Sequence, residues 1–451
     1  MSTPFTPPMP SLPPDSISGF GILTRLRRNG FSAFPERCFH EPVVSLRVPG
    51  KSLVLASGPE AMKALFIGQA TTFRRLRVGR RVLGPIVGDG ILVSEGVVWR
   101  ERRKAMAPAF TPRAVAALTP HIASSSEKAL QTLRDDSVVD VFAFMQALAL
   151  DIAAVTMFSM ASERFNTSLR EMVTSFMTGI GRPRPADFLL PLSAPTFTDW
   201  RRARFRKRWV RLVEAIIADR PPAAVAGKPR DLFDLLVAAV SVNGAPHGPE
   251  VIDEVGTMIV AGHETTTTAL FWSVWLLAHA DHWQNMAADE VLNVDLSPNN
   301  AAANLENLPV VTAIVREALR LFPPAFMTGR EAVEDTELCG QAVKRGAMVL
   351  TPFWMLHRSP ALWSQPNAFD PERFLRGPEP DKFAYLPFGV GPHVCIGAQL
   401  AMAEAVFVLA RLLQRYHVAV CDDRPVLPVG VLSTRPSRAP AFRLTRRRVS
   451  R

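Results

Sequence analysis

The sequence is poor in cysteine, and its cysteines form no motif. Cys38, Cys339, Cys395 and Cys421 are scattered along 451 residues without a Cys-x-x-Cys pair. This spacing argues against both a disulfide framework and a zinc site, which use closely and regularly spaced cysteines. Such cysteine usage is typical of a reducing compartment, so we expect a cytoplasmic location.

Uncharged runs of membrane-spanning length are also lacking. Residues 265–280 contain no Asp, Glu, Lys or Arg, but they fall short of the roughly 18 residues that a spanning helix needs. No basic segment followed by an apolar run, as in a secretory leader, stands at the N-terminus. We therefore expect no membrane anchor and predict a buried helix over residues 265–280.

Acidic residues are outnumbered by basic ones, 41 to 52, which gives a formal charge of +11. The sequence shows no zinc finger, helix-turn-helix or aromatic RNA motif, so we expect no nucleic-acid partner and favour an acidic redox protein. No internal repeat divides the chain, and 48% of it is hydrophobic. We predict a Pro-rich extended or disordered lead over residues 1–25 and a single domain over residues 26–451.

The most informative stretch reads Phe-Gly-Val-Gly-Pro-His-Val-Cys-Ile-Gly and spans residues 388–397. Gly389, Gly391 and Pro392 allow a tight loop whose backbone N–H groups can turn toward the sulfur of Cys395. Alanine and aliphatic residues at helical spacing follow, so Cys395 precedes a helix N-terminus, which favours a thiolate. A thiolate binds iron strongly. The alternative is a cysteine that acts only as a small core residue.

A second unusual segment lies inside a long apolar helix that we predict to begin near Pro249. Its middle reads Ala-Gly-His-Glu-Thr-Thr over residues 261–266. Glycine and β-branched residues there cost the helix roughly 0.5–1 kcal/mol each, and such conflicts are typical of functional sites. Alternatively, Thr265 bonds back to the carbonyl four residues earlier and only bends the helix.

Two further pairs have helical spacing. Trp99 and Arg103 are four residues apart and fall on one helix face, where an arginine fork suits a carboxylate. Glu317 and Arg320 are three apart in a helix predicted over residues 309–321, which Pro323 terminates.

In this order, the motifs resemble those of the cytochrome P-450 family. Residues 388–397 match its haem-binding signature, Phe-x-x-Gly-x-x-x-Cys-x-Gly, and residues 261–265 match its Ala/Gly-Gly-x-Asp/Glu-Thr motif. Its Trp-x-x-x-Arg and Glu-x-x-Arg motifs are present as well, and the resemblance covers roughly residues 43–444. It implies a mostly α-helical fold with a small β subdomain, in which haem b lies between the long central helix and the cysteine loop.

The resemblance also implies site residues. Cys395 is the expected iron ligand, within a loop that includes Phe388 and Gly389. Trp99, Arg103, Arg330 and His393 are expected to hold the haem propionates. Ala261 and Gly262 are expected to leave room for dioxygen, with Thr265 and Glu264 as catalytic residues. Arg373 is expected to complete a structural network with Glu317 and Arg320.

The activity implied is insertion of one oxygen atom from dioxygen into a hydrophobic small molecule, by hydroxylation or epoxidation. The chain shows no Rossmann fingerprint, so we expect electrons from an acidic ferredoxin or flavodoxin with its reductase. Arg100, Arg102 and Lys104 are the predicted docking residues. The alternatives are a peroxide-using or isomerising member of the family, or a catalytically silent haem-binding partner protein.

Other segments give local predictions. We expect a hairpin from strands over 43–48 and 52–56, a helix over 59–66 and loops over 84–90 and 182–195. Five arginines precede the first loop and either face water or line the pocket mouth, where they could select a carboxylated substrate: Arg74, Arg75, Arg77, Arg80 and Arg81. Residues 198–218 predict a basic amphipathic helix that is either a solvated face or a membrane contact.

Overall fold

The computed structural model describes residues 4–159, 163–220, 231–240 and 248–447. Within them the α-helices are α1 (Gly19–Leu26), α2 (Pro59–Lys63), α3 (Arg77–Val87), α4 (Gly96–Met106), α5 (Pro112–Gln131), α6 (Val141–Phe158), α7 (Glu163–Ser175), α8 (Pro185–Leu189), α9 (Phe197–Ala218), α10 (Leu232–Val240), α11 (Pro249–Leu277), α12 (Asp281–Leu292), α13 (Ala301–Asn304), α14 (Pro309–Leu321), α15 (Phe353–Leu356), α16 (Glu372–Leu375) and α17 (Ala398–Arg415).

The strands of the described residues form small sheets. They are β1 (Val43–Val48), β2 (Lys51–Ala56), β3 (Phe73–Arg75), β4 (Ser137–Asp140), β5 (Thr328–Ala332), β6 (Thr336–Leu338), β7 (Gln341–Val343), β8 (Met348–Thr351), β9 (Tyr416–Val420), β10 (Pro428–Gly430), β11 (Thr434–Pro436) and β12 (Ala441–Arg446). The largest sheet has the order β1-β2-β8-β5-β3, and a second has the order β4-β12-β9. A large helical body with a small β region is the fold that the sequence predicted.

The predicted hairpin forms, with Val43 opposite Ala56 and Val48 opposite Lys51 across β1 and β2. At the other edge of the same sheet, the short β3 pairs with β5 and places Arg75 opposite Arg330. Like charges directly opposite each other on a sheet repel. Two positive charges therefore lie close together at this edge of the sheet.

Helix α11 is the centre of the helical body. It has 29 residues, begins at Pro249 after Gly248 and contacts α6, α3, α14 and α17. Proline suits the first turn, where its missing N–H has no helical partner to lose. Because it is apolar nearly all round, α11 is buried over almost its whole length.

Helix α17 follows the cysteine loop and packs against α5, α11, α12 and α14. Ala405, Val408 and Leu412 lie on its buried face, at the helical spacing that was predicted. Ala398 and Ala401, from the same predicted set, are only partly buried. Glu404 is buried on the same helix. The contact between α11 and α17 fixes the cysteine loop relative to the central helix.

The Glu317 carboxylate lies in a fully buried network, as expected. Its two oxygens accept hydrogen bonds from Arg320 at 2.7 and 2.8 Å, and Arg373 adds a bond of 3.1 Å. Arg320 also donates to the backbone carbonyls of His357 and Pro366. Burying a charged pair is costly unless hydrogen bonds satisfy both charges, as they do for Glu317 and Arg320. The network connects α14 to the segment before the cysteine loop.

The loop predicted over residues 84–90 is wrong in its first half, because α3 runs through Gly84 and Pro85 to Val87. Val82, Ile86 and Val87 are buried, and α3 contacts α11. This tertiary packing outweighs the poor helix propensity of glycine and proline. Gly88, with φ of +54°, then ends the helix. The loop predicted over 182–195 likewise contains the short helix α8.

Residues 4–14 of the N-terminal lead form no helix or strand and pack on the protein. Phe5 stacks on His279 at 4.6 Å between ring centroids, and its carbonyl accepts a hydrogen bond from Phe369 N–H. The boundary predicted at residue 25 falls inside α1. In the described residues one helix, α6, is long and apolar enough to cross a membrane, and 67% of it is buried inside the protein, as in a core helix.

Candidate active site at the cysteine loop

The loop before Cys395 is shaped by two glycines. Gly389 and Gly391 have φ of +73° and +78°, a region that glycine enters without steric cost. The loop closes on itself, since Cys395 N–H donates to the Phe388 carbonyl at 2.9 Å. A Cβ on Gly391 would lie 2.4 Å from the Phe66 carbonyl oxygen, so that position requires glycine for space as well.

The Cys395 sulfur is surrounded by protein, yet the residue is exposed to an opening in it. Burial raises the pKa of the thiol, while a hydrogen bond from Gly397 N–H and the charge of Arg103 act in the opposite direction. Cys395 is therefore accessible, although protein atoms lie close around its thiol. Such a thiol needs a cation to become a stable thiolate.

Aromatic and basic side chains surround this loop. Trp99, Arg103 and His393 were predicted as site residues, and Arg75 was not. The Trp99 and His393 rings are 4.0 Å apart between centroids. Arg103 Nη1 donates to the Val394 carbonyl at 2.6 Å. Arg75 Nη2 lies 2.7 Å from His393 Nδ1, so the loop reaches the edge strand β3. The structure thus brings residues from α4, β3 and the cysteine loop together.

Positive charge accumulates in this cluster. Burial, together with the charge of Arg75, lowers the pKa of Arg330 to about 10. Burial lowers the pKa of His393 to about 3, with contributions from Arg75, Arg330 and Arg103. Within the described residues, Arg330 and Arg103 form no salt bridge; Arg75 has only Glu95, 3.5 Å away. The thiol can bind a metal ion, and the cations without acidic partners can bind carboxylates. Haem carries both an iron ion and carboxylates, so it fits this cluster.

Helix α11 is partly exposed within residues 261–266, the segment that the sequence marked as unusual. From Val251 to Leu277, all residues are buried except Ala261, Gly262 and Thr265. Positions i, i+1 and i+4 lie within about 100° of one another around a helix, so these three share one face. The small side chains therefore leave a recess in α11, the helix that packs against α17.

Glu264 and Thr265 already have partners in this structure. Thr265 Oγ1 donates to the Ala261 carbonyl at 2.6 Å, the bond back to position i−4 that the sequence left open. The Glu264 carboxylate is buried and forms a bidentate pair with Arg435 at 2.5 and 2.6 Å. Ser433 Oγ also donates to it at 2.5 Å. Glu264 thus points toward the β10–β11 hairpin.

Sequence reasoning missed Arg75, Arg435 and Ser433 as site residues. Arg75 was expected either to face water or to line the pocket mouth, because a three-residue strand gives no recognisable periodicity. Arg435 and Ser433 lie about 170 positions from Glu264 in the chain, so only the tertiary fold reveals their contact. A buried glutamate in an apolar helix was the one available signal that a cation must lie nearby.

The other arginines of the basic cluster also have partners. Arg74 and Arg77 pair with Glu331, and Arg80 pairs with Asp89. Because these arginines already pair with carboxylates of the protein, they are not free to bind a carboxylated substrate. Arg81 is buried among backbone carbonyls.

The prediction that Arg102 takes part in docking is wrong. Arg102 donates to Glu254 at 2.9 Å, and its side chain is 12% exposed, so it is not available to a partner protein. Arg100 and Lys104 on the same helix are exposed. The helix spacing could not show that Arg102 meets a buried glutamate of α11.

Comparison with known proteins extends over the whole chain. The family model described as Cytochrome P-450 matches residues 10–438. The cyclooctat-9-en-7-ol 5-monooxygenase of Streptomyces melanosporofaciens is 29% identical over 441 residues, which cover 92% of this chain and 93% of that protein. A cytokinin hydroxylase of Arabidopsis thaliana is 28% identical over 368 residues, covering 78% and 71%. Among solved structures, retinoic acid bound cyanobacterial CYP120A1 aligns with a TM-score of 0.81 at 24% identity, covering 98% and 100%.

Proposed function

The chain belongs to the cytochrome P-450 family of monooxygenases, and we propose that it hydroxylates or epoxidises a neutral apolar small molecule with dioxygen. The observation that carries this proposal is the Cys395 sulfur, exposed in a cleft beside a cluster of cations with few acidic partners. A family monooxygenase needs a thiolate-bound haem there, and this site has the residues to hold one.

We assign haem b as the cofactor. Cys395 would bind the iron, and Arg75, Arg103, Arg330 and His393 would hold the propionates, with Trp99 packed on His393. When bound, the thiolate-ligated haem supplies dioxygen binding and O–O cleavage. Phe388 and Gly389 belong to the loop that leads to Cys395.

Thr265 and Glu264 would govern proton delivery. The Thr265 hydroxyl would exchange its Ala261 acceptor for the oxygen substrate in the recess beside Gly262. Glu264 would leave Arg435 and pass a proton from solvent toward that hydroxyl. Arg435 is partly exposed, with 17% of its side chain accessible, so the pair lies between the surface and the recess.

Two variants test these roles in the haem-loaded enzyme. Thr265→Ala should keep haem and substrate binding but release most reducing equivalents as hydrogen peroxide. Glu264→Gln should slow turnover by about 10²–10⁴-fold with a larger solvent isotope effect, because a positioned acid–base group contributes that much. If Thr265→Ala stays as coupled as the parent, the hydroxyl only bonds to Ala261, and the peroxide-using or isomerising alternative replaces this function.

The proposed substrate is neutral because the arginines that could select a carboxylate are engaged. Val260, which precedes the recess, is apolar. A spectral screen of terpenes, steroids and fatty acids should give the tightest binding for neutral terpenes. Tight fatty-acid binding that is lost in Arg80→Ala would contradict a neutral substrate.

We propose that electrons come from a separate acidic ferredoxin or flavodoxin, which docks on the exposed Arg100 and Lys104. Electrostatic steering should make reduction slower as salt rises. The double variant Arg100→Glu/Lys104→Glu should slow reduction, while Arg27→Glu/Arg28→Glu, at two exposed cations that follow α1, should not. Equal rates in both variants would refute this docking site. The four cysteines, none of them in a disulfide, support a cytoplasmic location for this chain.

A further inference from the structure

Two small cavities lie inside the helical body, on the side of α11 that faces α6. The first lies between α6, α10 and α11, and the second lies between α6, α7, α9 and α11. Every described residue that lines them is apolar, and Phe158 of α6 lines both. The two cavities therefore meet at the Phe158 side chain.

Small side chains leave this space where α6 packs on α11. Ala153 and Ala154 of α6 line the second cavity, opposite Ile259 of α11. A larger side chain at either alanine would extend toward Ile259 and fill the space between the helices. Protein interiors are close-packed and contain few voids as large as a water molecule, so two neighbouring ones beside the central helix are an unusual feature.

The cavities follow α11 toward the recess at Gly262. Val255 and Met258 line the first cavity, and Ile259 lines the second. With 100° per residue, these three positions lie within about 60° of Gly262 around the helix, and within about 11 Å of it along the axis. Gly262 therefore belongs to the face of α11 that lines the cavities as well as to the face that forms the recess.

Met157 of α6 lies between the first cavity and Gly262. It lines that cavity, and its terminal methyl carbon would be 3.0 Å from a Cβ placed on Gly262. The methyl group therefore packs against the bare backbone of the glycine. Methionine is unbranched and has three rotatable bonds, so it changes conformation more easily than other core residues. A rotation of the Met157 side chain would join the cavity to the recess.

Size and polarity restrict what the cavities can bind. Each offers about 10 Å³ of free space to a water-sized molecule, which is room for one atom or one diatomic molecule and not for an organic substrate. Buried water needs several polar partners, and no described side chain that lines the cavities supplies one. An ion would be left without compensation for the same reason. The class of ligand that fits is a small apolar gas.

We propose that the two cavities bind dioxygen and supply it to the recess at Gly262, and that the Met157 side chain separates the bound gas from the recess. The proposal rests on the proposed function, because it takes dioxygen as the oxidant. The gas is held on α11 within two to three turns of Thr265, and it enters the recess when Met157 rotates. Ala153, Ala154 and Gly262 are small because larger side chains would close this route.

Xenon tests the cavities without turnover, because it is an apolar gas that occupies dry apolar cavities. The haem-loaded protein is labelled at its methionine methyl groups, reduced, bound to carbon monoxide to make it diamagnetic, and observed by NMR under xenon pressure. The methyl signals of Met157 and Met258 should shift and saturate. The signal of Met348 should not, since it lies in a separate core that contains no residue of either cavity.

A filled variant and a matched control connect the cavities to dioxygen. Ala154→Leu/Val255→Ile adds apolar groups in both cavities, and Ala143→Leu/Val138→Ile makes the same changes at two exposed positions. The filled variant should lose the xenon shifts and bind dioxygen to the reduced haem more slowly than the control in stopped-flow mixing. Met157→Ala should bind dioxygen faster than the parent, because the separating side chain is removed.

The proposal is overturned if xenon leaves the Met157 and Met258 signals unchanged, or if the filled variant binds dioxygen as fast as the control. Haem content and circular dichroism show whether each variant folds. Should the filled variant not fold, Met157→Ala decides, and a dioxygen rate equal to that of the parent overturns the proposal. The proposed function fails separately, if xenon and dioxygen behave as expected but no substrate is oxygenated.

Discussion

Glu404 on α17 has no partner for its charge in the described part of the structure. The residue is 7% exposed, and its Oε1 is buried without a hydrogen bond. Burial raises the pKa of this carboxyl from 4.5 to about 8. The folded protein therefore holds Glu404 as the neutral acid at pH 7, although an unfolded chain would ionise it.

Replacement by glutamine should change how stability depends on pH. Between pH 4.5 and pH 8 the unfolded state releases this proton and the folded state keeps it, so the free energy of unfolding of the parent falls as pH rises. The penalty is about 1 kcal/mol at pH 5 and about 4 kcal/mol at pH 8. Glutamine cannot ionise, so Glu404→Gln should gain about 3 kcal/mol relative to the parent across this window.

Melting temperature measured by circular dichroism at pH 5, 6, 7 and 8 checks this. For a chain of 451 residues, one kcal/mol corresponds to about 1 °C, so the two curves should diverge by about 3 °C. Parallel curves would refute the reasoning, because they would mean that Glu404 ionises equally in both states.

Glu127 provides a control of opposite sign. Its burial raises the pKa of the carboxyl, but hydrogen bonds from Arg411 and Arg415 outweigh this, so the pKa is lowered overall. The stability it contributes is present above the unfolded pKa and is lost as pH falls. Glu127→Gln should therefore be less stable than the parent at neutral pH and approach it in acid.

The structure makes three further predictions about the site and its support. Gly391→Ala should lower the melting temperature and haem content more than Gly389→Ala. Both substitutions cost about 1–2 kcal/mol because the backbone is left-handed, but the Cβ at position 391 would also lie 2.4 Å from the Phe66 carbonyl oxygen. Glu317→Gln should cost about 3–5 kcal/mol in thermal unfolding, since it leaves buried arginines uncompensated. Arg330→Gln should speed haem transfer to apomyoglobin roughly tenfold, the worth of one charge-assisted hydrogen bond; an unchanged rate would remove Arg330 from the propionate site.

Features with local causes could be predicted from the sequence. Proline at position 249 and an apolar run are enough to place α11, and the spacing of Glu317 and Arg320 is enough to predict their ion pair. Pro49-Gly50 between two short runs rich in valine and leucine is enough for the β1–β2 hairpin. Each depends on residues within a few positions of one another.

Features that depend on distant contacts could not be predicted. Arg75 meets His393 only because β3 pairs with β5, and three residues are too few to show a strand period. Arg102 matched the surface pattern of α4 but lies against Glu254. The pairing of Glu264 with Arg435 likewise follows from the tertiary fold, which brings the C-terminal hairpin onto the middle of α11.

Absorption spectroscopy of the reduced protein with carbon monoxide tests the central claim most directly. If Cys395 is the axial ligand, the parent should show the red-shifted absorption of thiolate-bound haem. Cys395→His should lose that band, while the matched variant Cys421→Ser, at an exposed cysteine distant in sequence, should keep it. A thiolate spectrum retained in Cys395→His would contradict the assignment of the cysteine loop as the haem site.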